Sequence, residues 1–92
     1  MSPIQLNDIL YFSANDNYCY IHTVSEKHLV LHKLRDFVEE YGDQGFVQTH
    51  RSYVVNMSHI AQLTDMHAYV GTHKIPIGKS YRAVFFQHFK IL

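Results

Sequence analysis

His50, Arg51 and Ser52 stand together in the stretch FVQTHRSYVVN, with apolar residues on either side. A serine near a histidine raises nucleophilic catalysis, whereas an arginine raises planar, bidentate recognition of phosphate or guanine. Nucleophilic catalysis needs a hydroxyl, an imidazole and an orienting carboxylate to converge. On a strand, His50 and Ser52 would share a face without converging, and no glycine-rich turn surrounds Ser52. The only carboxylate from residue 44 onward is Asp65. Catalysis is therefore not expected, and recognition by Arg51 is the reading left.

Other groups suited to binding lie nearby in sequence. Lys74, Lys79 and Arg82 fall at a strand end and a helix start, where free backbone N–H groups also favour phosphate. Asn17 and Tyr18, at an earlier turn, add an amide and an aromatic hydroxyl. Eight histidines raise a metal site. His28 and His32 are four apart, a spacing that converges on a helix, but here it straddles a strand and its exit. His22 and His28 are placed to face each other across a turn. No spaced ligand set emerges and no metal is expected. Gly42, Gly45, Gly71 and Gly78 lack the spacing of a phosphate-binding or dinucleotide-binding loop, so no cofactor is expected either.

The elements that must position these groups are mostly short strands. Ile9-Leu10-Tyr11-Phe12 is a β-prone run closed by SANDN, a cluster of turn formers. Residues Tyr18 to Thr23 resume the pattern, SEK turns the chain, and His28-Leu29-Val30-Leu31 completes an antiparallel meander. The period then changes: Leu34, Phe37, Val38 and Tyr41 fall on one helical face, with Arg35, Asp36, Glu39 and Glu40 opposite and Gly42 as the C-terminal cap. Strands return over residues 46–49, 53–55, 60–63 and 68–70, and Gly71-Thr72 makes a tight hairpin into residues 73–77, with Pro76 at a strand edge or end. Tyr81, Val84, Phe85 and Phe89 have helical spacing, with Gly78 or Ser80 as the cap. The expectation is a mostly β domain of small antiparallel sheets with two short helices.

The chain has 92 residues, 47% hydrophobic and 17% charged, which is the profile of one globular domain. No apolar run approaches the ~20 residues of a membrane span, and no signal peptide opens the chain. Cys19 is the only cysteine, which excludes an internal disulfide; the cytoplasm is the expected compartment. Net charge is zero, yet its distribution is uneven. Residues 1–43 carry three cations against seven carboxylates, and residues 44–92 carry five cations against one, together with five of the histidines. That polarity permits a positive face suited to nucleic acid.

The order of DILYFSANDNYCYIHT, an amphipathic helix, FVQTHRSYVVNMSHI and KIPIGKSYRAVF resembles the LytTR-type DNA-binding domain over nearly the whole chain, from about Asp8 to Phe89. The resemblance implies a LytTR-like β fold that reads double-stranded DNA through loops between strands, in successive major grooves. It also implies the output half of a bacterial two-component response regulator, behind a receiver domain. By position, the DNA contacts fall on Asn17, Tyr18, Arg51 and Lys79. His50 and Asn56 match the motif too: His50 is read as orienting the turn more than touching a base, and Asn56 as capping backbone at a strand end. Two departures stand out. The family often has serine where Gly78 stands, and it usually has another strand ahead of IQLNDIL. The expectation is an excised fragment, monomeric alone, that meets repeated DNA half-sites as a dimer through its receiver domain. The alternative is a non-catalytic β-rich module for a protein or ligand, which would pass through a heparin column at low salt.

Overall fold

The computed structural model describes residues 4–15 and 17–88. Asp16 of the first expected turn and Phe89 of the last helical stripe lie outside the described residues. In order come β1 (Ile9–Asn15), β2 (Tyr18–Thr23), β3 (Lys27–Val30), α1 (Leu34–Tyr41), β4 (Phe46–His50), β5 (Tyr53–Asn56), β6 (Ile60–Leu63), β7 (His67–Val70), β8 (His73–Pro76) and α2 (Arg82–Gln87). The first five strands form one antiparallel sheet in the order β3-β2-β1-β5-β4, and the last three form a second in the order β6-β7-β8. The fold class is the one expected, mostly β with two short helices. No described helix is long and apolar enough to cross a membrane.

The run Ile9-Leu10-Tyr11-Phe12 is buried throughout because both faces of the larger sheet are covered. Register slips by one residue between Ile9 and Tyr11, so Leu10 and Tyr11 turn to the same face while Ile9 and Phe12 take the other. On the Phe12 side, Leu34 and Phe37 of α1 pack with Phe46, Val54 and Cys19. Phe12 stacks on Phe37 at a centroid distance of 4.4 Å and lies tilted against Phe46 at 5.4 Å. On the Tyr11 side, Val47 and Val55 meet Ala68, Val70, Ile75 and Ile77 of the second sheet and Phe85 of α2. Burying a side chain such as Phe12 or Phe85 contributes roughly 1.5–3 kcal/mol.

Several boundaries differ from expectation for local reasons. Ser13, Ala14 and Asn15 belong to β1 instead of a turn, because β2 supplies partners as far as Asn15–Tyr18. Gly42 is the C-terminal cap of α1, as expected, and the chain reverses only after it. Gly42 stays right-handed at φ −60° and leads into a 3-10 turn, and Gly45 at φ +91° reverses the chain, a conformation that favours glycine. Gly71, at φ +60°, makes the hairpin as expected, and Pro76 closes an edge strand. The second helix opens through a 3-10 turn over Lys79–Tyr81 with no side-chain cap, so Ser80 does not cap it.

Candidate nucleic-acid interface

The turn carrying Arg51 is built by β4 and β5. Register slips again between Gln48 and His50, which leaves Thr49 as an extra, fully buried residue and re-aims the chain entering the turn. His50 Nδ1 accepts the backbone N–H of Ser52 at 3.1 Å, and its ring meets Tyr53 edge-on at 5.7 Å. The imidazole therefore braces the turn across Arg51, whose side chain is exposed. Its hydrogen bond is with the Ser52 backbone N–H.

Two further turns converge on the same end of the sheet. Ala14 N–H donates to Ser52 O at 2.9 Å, which ties the end of β1, and so the Asn17-Tyr18 turn, to the Arg51 turn. Gly78 N–H donates to Thr49 O at 2.6 Å, which docks the start of the Lys79–Tyr81 turn on the end of β4. His50, Arg51, Gly78, Lys79, Ser80 and Tyr81 line one open depression. Gly78 is tight there: a Cβ would lie 3.2 Å from Tyr81 Cδ2 and 3.4 Å from His50 Cδ2. A serine in its place would press on Tyr81, which would have to give by a few tenths of an ångström, and would come into contact with His50.

Of the residues singled out from sequence, Arg51, His50 and Lys79 share this depression, and Asn17 and Tyr18, both exposed, lie one strand pair away. Arg82 follows Tyr81 at the start of α2; it is half-buried, with Nε out of solvent and unpartnered among the described residues. Lys74 is not in the cluster. It is exposed on β8 opposite Tyr69, nearer the Gly71 hairpin, which touches Leu10 at the other end of β1. Asn56 is buried, as a cap: Oδ1 accepts from Ser58 N at 3.1 Å and from Ser58 Oγ at 2.8 Å, and Nδ2 donates to Ile9 O at 2.9 Å.

The charge pattern of the sequence maps only partly onto the surface. Leu31, His32, Lys33, Arg35 and Asp36 line a depression with Asn17, so cations counted in the acidic half stand beside the turns. Glu39 and Glu40 lie further along α1, which delivers the chain to Phe46, the end of β4 opposite the Arg51 turn.

Among the described residues, no group of three or more His, Cys, Asp or Glu side chains is placed to hold an ion. His22 and His28 are not cross-strand partners, because His22 pairs with Lys27 and His28 with Ile21. His28 Nε2 instead lies 3.0 Å from Glu26 Oε2. His22 stacks on Tyr11 at 4.0 Å, and its Nε2 lies 2.8 Å from Ser13 Oγ. Burial, then His73 and Lys27, lower its pKa to about 4.

The family model described as the LytTr DNA-binding domain matches residues 1–90 of the chain. The fold is similar to that of the LytTr DNA-binding domain of a methyl-accepting/DNA response regulator from Bacillus cereus. The TM-score is 0.84 at 21% sequence identity, over 94% of this chain and 84% of that one.

Proposed function

The chain belongs to the LytTR family of DNA-binding domains, and from that premise we propose that it is the sequence-reading output domain of a bacterial transcriptional response regulator. In this reading it is a cytoplasmic, non-catalytic component of a two-component system, and residues 1–92 are one domain of a longer regulator whose receiver domain responds to phosphorylation. Its inter-strand turns enter the major groove. Arg51, Lys79 and the Asn17-Tyr18 turn face base edges, Arg82 faces phosphate, and His50 acts through the shape of its turn. Lys74, a strand away from the cluster, makes at most a contact with phosphate.

The observation that supports this reading best is the convergence of the three turns, linked by Ala14–Ser52 and Thr49–Gly78 backbone hydrogen bonds, on one end of the larger sheet. Arg51, Asn17, Tyr18 and Lys79 are exposed while β1, β4 and β5 behind them are buried on both faces, so the recognition groups sit on a rigid support. Backbone contacts position such a surface, and base contacts give it specificity.

A single domain neutralises few phosphates. Useful affinity then comes from two copies on repeated half-sites, joined through the receiver domain, which raises effective concentration without new DNA contacts. The test begins with sites selected from random DNA. On a selected site, Arg51→Ala should cost ~1–3 kcal/mol and flatten preference at one base position. An equal loss on random DNA would make Arg51 a backbone contact and remove it from the base-reading set. Fusing two copies should sharply raise affinity for a paired site; nanomolar binding of one half-site by the free chain in physiological salt would refute the need for tethering.

A further inference from the structure

We propose that two copies of this chain touch head to tail on DNA, the β3 edge of one copy seating Leu29 and Leu31 in the apolar groove at the β4 edge of the next. The inference rests on the DNA-reading function proposed above and adds a contact between neighbouring copies. β3 is one open edge of the larger sheet, and from its start into the loop that follows the chain reads KHLVLHK, residues 27–33, without a carboxylate. Val30 turns to the Phe12 side of the sheet, which leaves Leu29 56% and Leu31 74% exposed on either side of it. Lys27 and Lys33, both exposed, bracket the two leucines. An open strand edge carrying bare apolar side chains is a surface that ordinarily finds cover.

The complement lies at the opposite edge, where β4 ends the sheet. Val38 of α1, Phe46 and Val47 of β4, Tyr81 and Val84 of α2 line an open groove of about 450 Å³ there. Phe46 and Val47 are buried and form its floor, whereas Val84 is 57% exposed. No lysine or arginine lines the groove. On its α1 side stands Gly42, with Glu39 one helical turn before it and Asp43 directly after, both exposed. One edge is therefore apolar between cations, and the other is apolar beside carboxylates.

Charge selects the partner and its orientation. Residues 27–33 read the same in both directions. Two β3 edges paired with each other about Val30 would set Lys27 opposite Lys33 and His28 opposite His32, and like charges directly opposite destabilise a strand pair. Edge to groove, the lysines of one copy approach Glu39 and Asp43 of the next. Such a contact joins two different patches, so it repeats in one direction. With the turns in successive major grooves the sheet lies along the duplex, and its two edges face the neighbouring sites. Copies bound in the same orientation then bring β3 of one to β4 of the next. Two leucines and a few charges make a contact below the ~1,200 Å² of a stable complex. The free chain therefore stays monomeric, and adjacent DNA sites supply the effective concentration that joins two copies.

The test measures binding of the full chain to duplexes carrying one selected site, two sites in the same orientation, or two in opposite orientation, with the spacing varied one base pair at a time. Partial burial of two leucine side chains corresponds to about tenfold tighter binding of the second copy. That factor should appear on same-orientation pairs at a preferred spacing and be absent from opposite-orientation pairs. Leu29→Ser/Leu31→Ser on one edge and Val84→Ser on the other should each reduce it toward one, and Glu39→Gln should reduce it in part. All three variants should keep the wild-type affinity for the single site, which also shows that they fold. Undiminished cooperativity in the leucine and valine variants overturns the contact and leaves the DNA-reading function standing. So does cooperativity confined to opposite-orientation pairs, or none on any pair while the single site is bound. If the wild-type chain binds no selected site, the DNA-reading premise fails and the contact with it.

Discussion

Replacing His50 tests whether the recognition turn is held or merely connected. His50→Ala removes the acceptor of the Ser52 N–H, 3.1 Å away, and the ring packed on Tyr53. A net hydrogen bond is worth about 1 kcal/mol. An edge-on aromatic pair adds about 0.5–1.5 kcal/mol. The variant should therefore unfold with roughly 2 kcal/mol less stability. Binding suffers for a different reason. Ordering one residue's backbone costs ~1–2 kcal/mol, and a turn released from its brace must meet part of that cost when it docks, about 1 kcal/mol or fivefold in affinity. Two further substitutions separate the effects. In His50→Asn the side-chain oxygen can accept the N–H two residues on, as in an Asx turn, so affinity should return while the aromatic stability does not. In His50→Phe the aromatic packing should return without the acceptor, and the affinity should stay low. Denaturant unfolding and fluorescence anisotropy on one duplex at one salt concentration measure both quantities. If the Asn and Phe variants bind equally, and each more than tenfold below wild type, the imidazole touches DNA itself and the bracing argument is wrong.

Three stability predictions follow from the same geometry. His22 titrates at about 4 in the fold against 6.5 for the free side chain, so the unfolded chain binds the extra proton. Stability should fall as pH drops from 6.5 toward 4, and His22→Gln should lose that component of the pH dependence in urea melts at pH 7, 5.5 and 4.5. Asn56→Ala strands Ile9 O and Ser58 N in and near the core, at a cost of about 3 kcal/mol; a loss under 1 kcal/mol in the same melts would mean these groups find other partners. Thr49 is fully buried and its hydroxyl has no partner among the described residues, so Thr49→Val should raise stability by about 1 kcal/mol, which thermal unfolding would register as an increased midpoint.

Local pattern was enough to identify much of this protein. Alternating burial marks β7, and the Leu34-Phe37 spacing marks α1, because side-chain direction within one element depends only on neighbouring backbone angles. The His-Arg-Ser triplet between two apolar runs is legible as a turn for the same reason. The segment order carrying the LytTR resemblance is also a property of the chain alone, and the family match over residues 1–90 agrees with it.

What periodicity does not encode is which strands become neighbours. Ser13, Ala14 and Asn15 look like turn formers until β2 supplies partners across the sheet. Gly42 caps the helix on paper and in the fold, but only the folded path makes Gly45 the residue at positive φ. Lys74 is close to Lys79 in sequence yet lies apart on β8, whereas Lys33 and Arg35 are distant in sequence from Arg51 yet occupy the same end of the sheet. Such long-range neighbours are chosen by burying both faces of β1 at once, Phe12 against α1 and Tyr11 against the second sheet. That choice depends on the packing of the whole core, and it alone decides which charges share a surface.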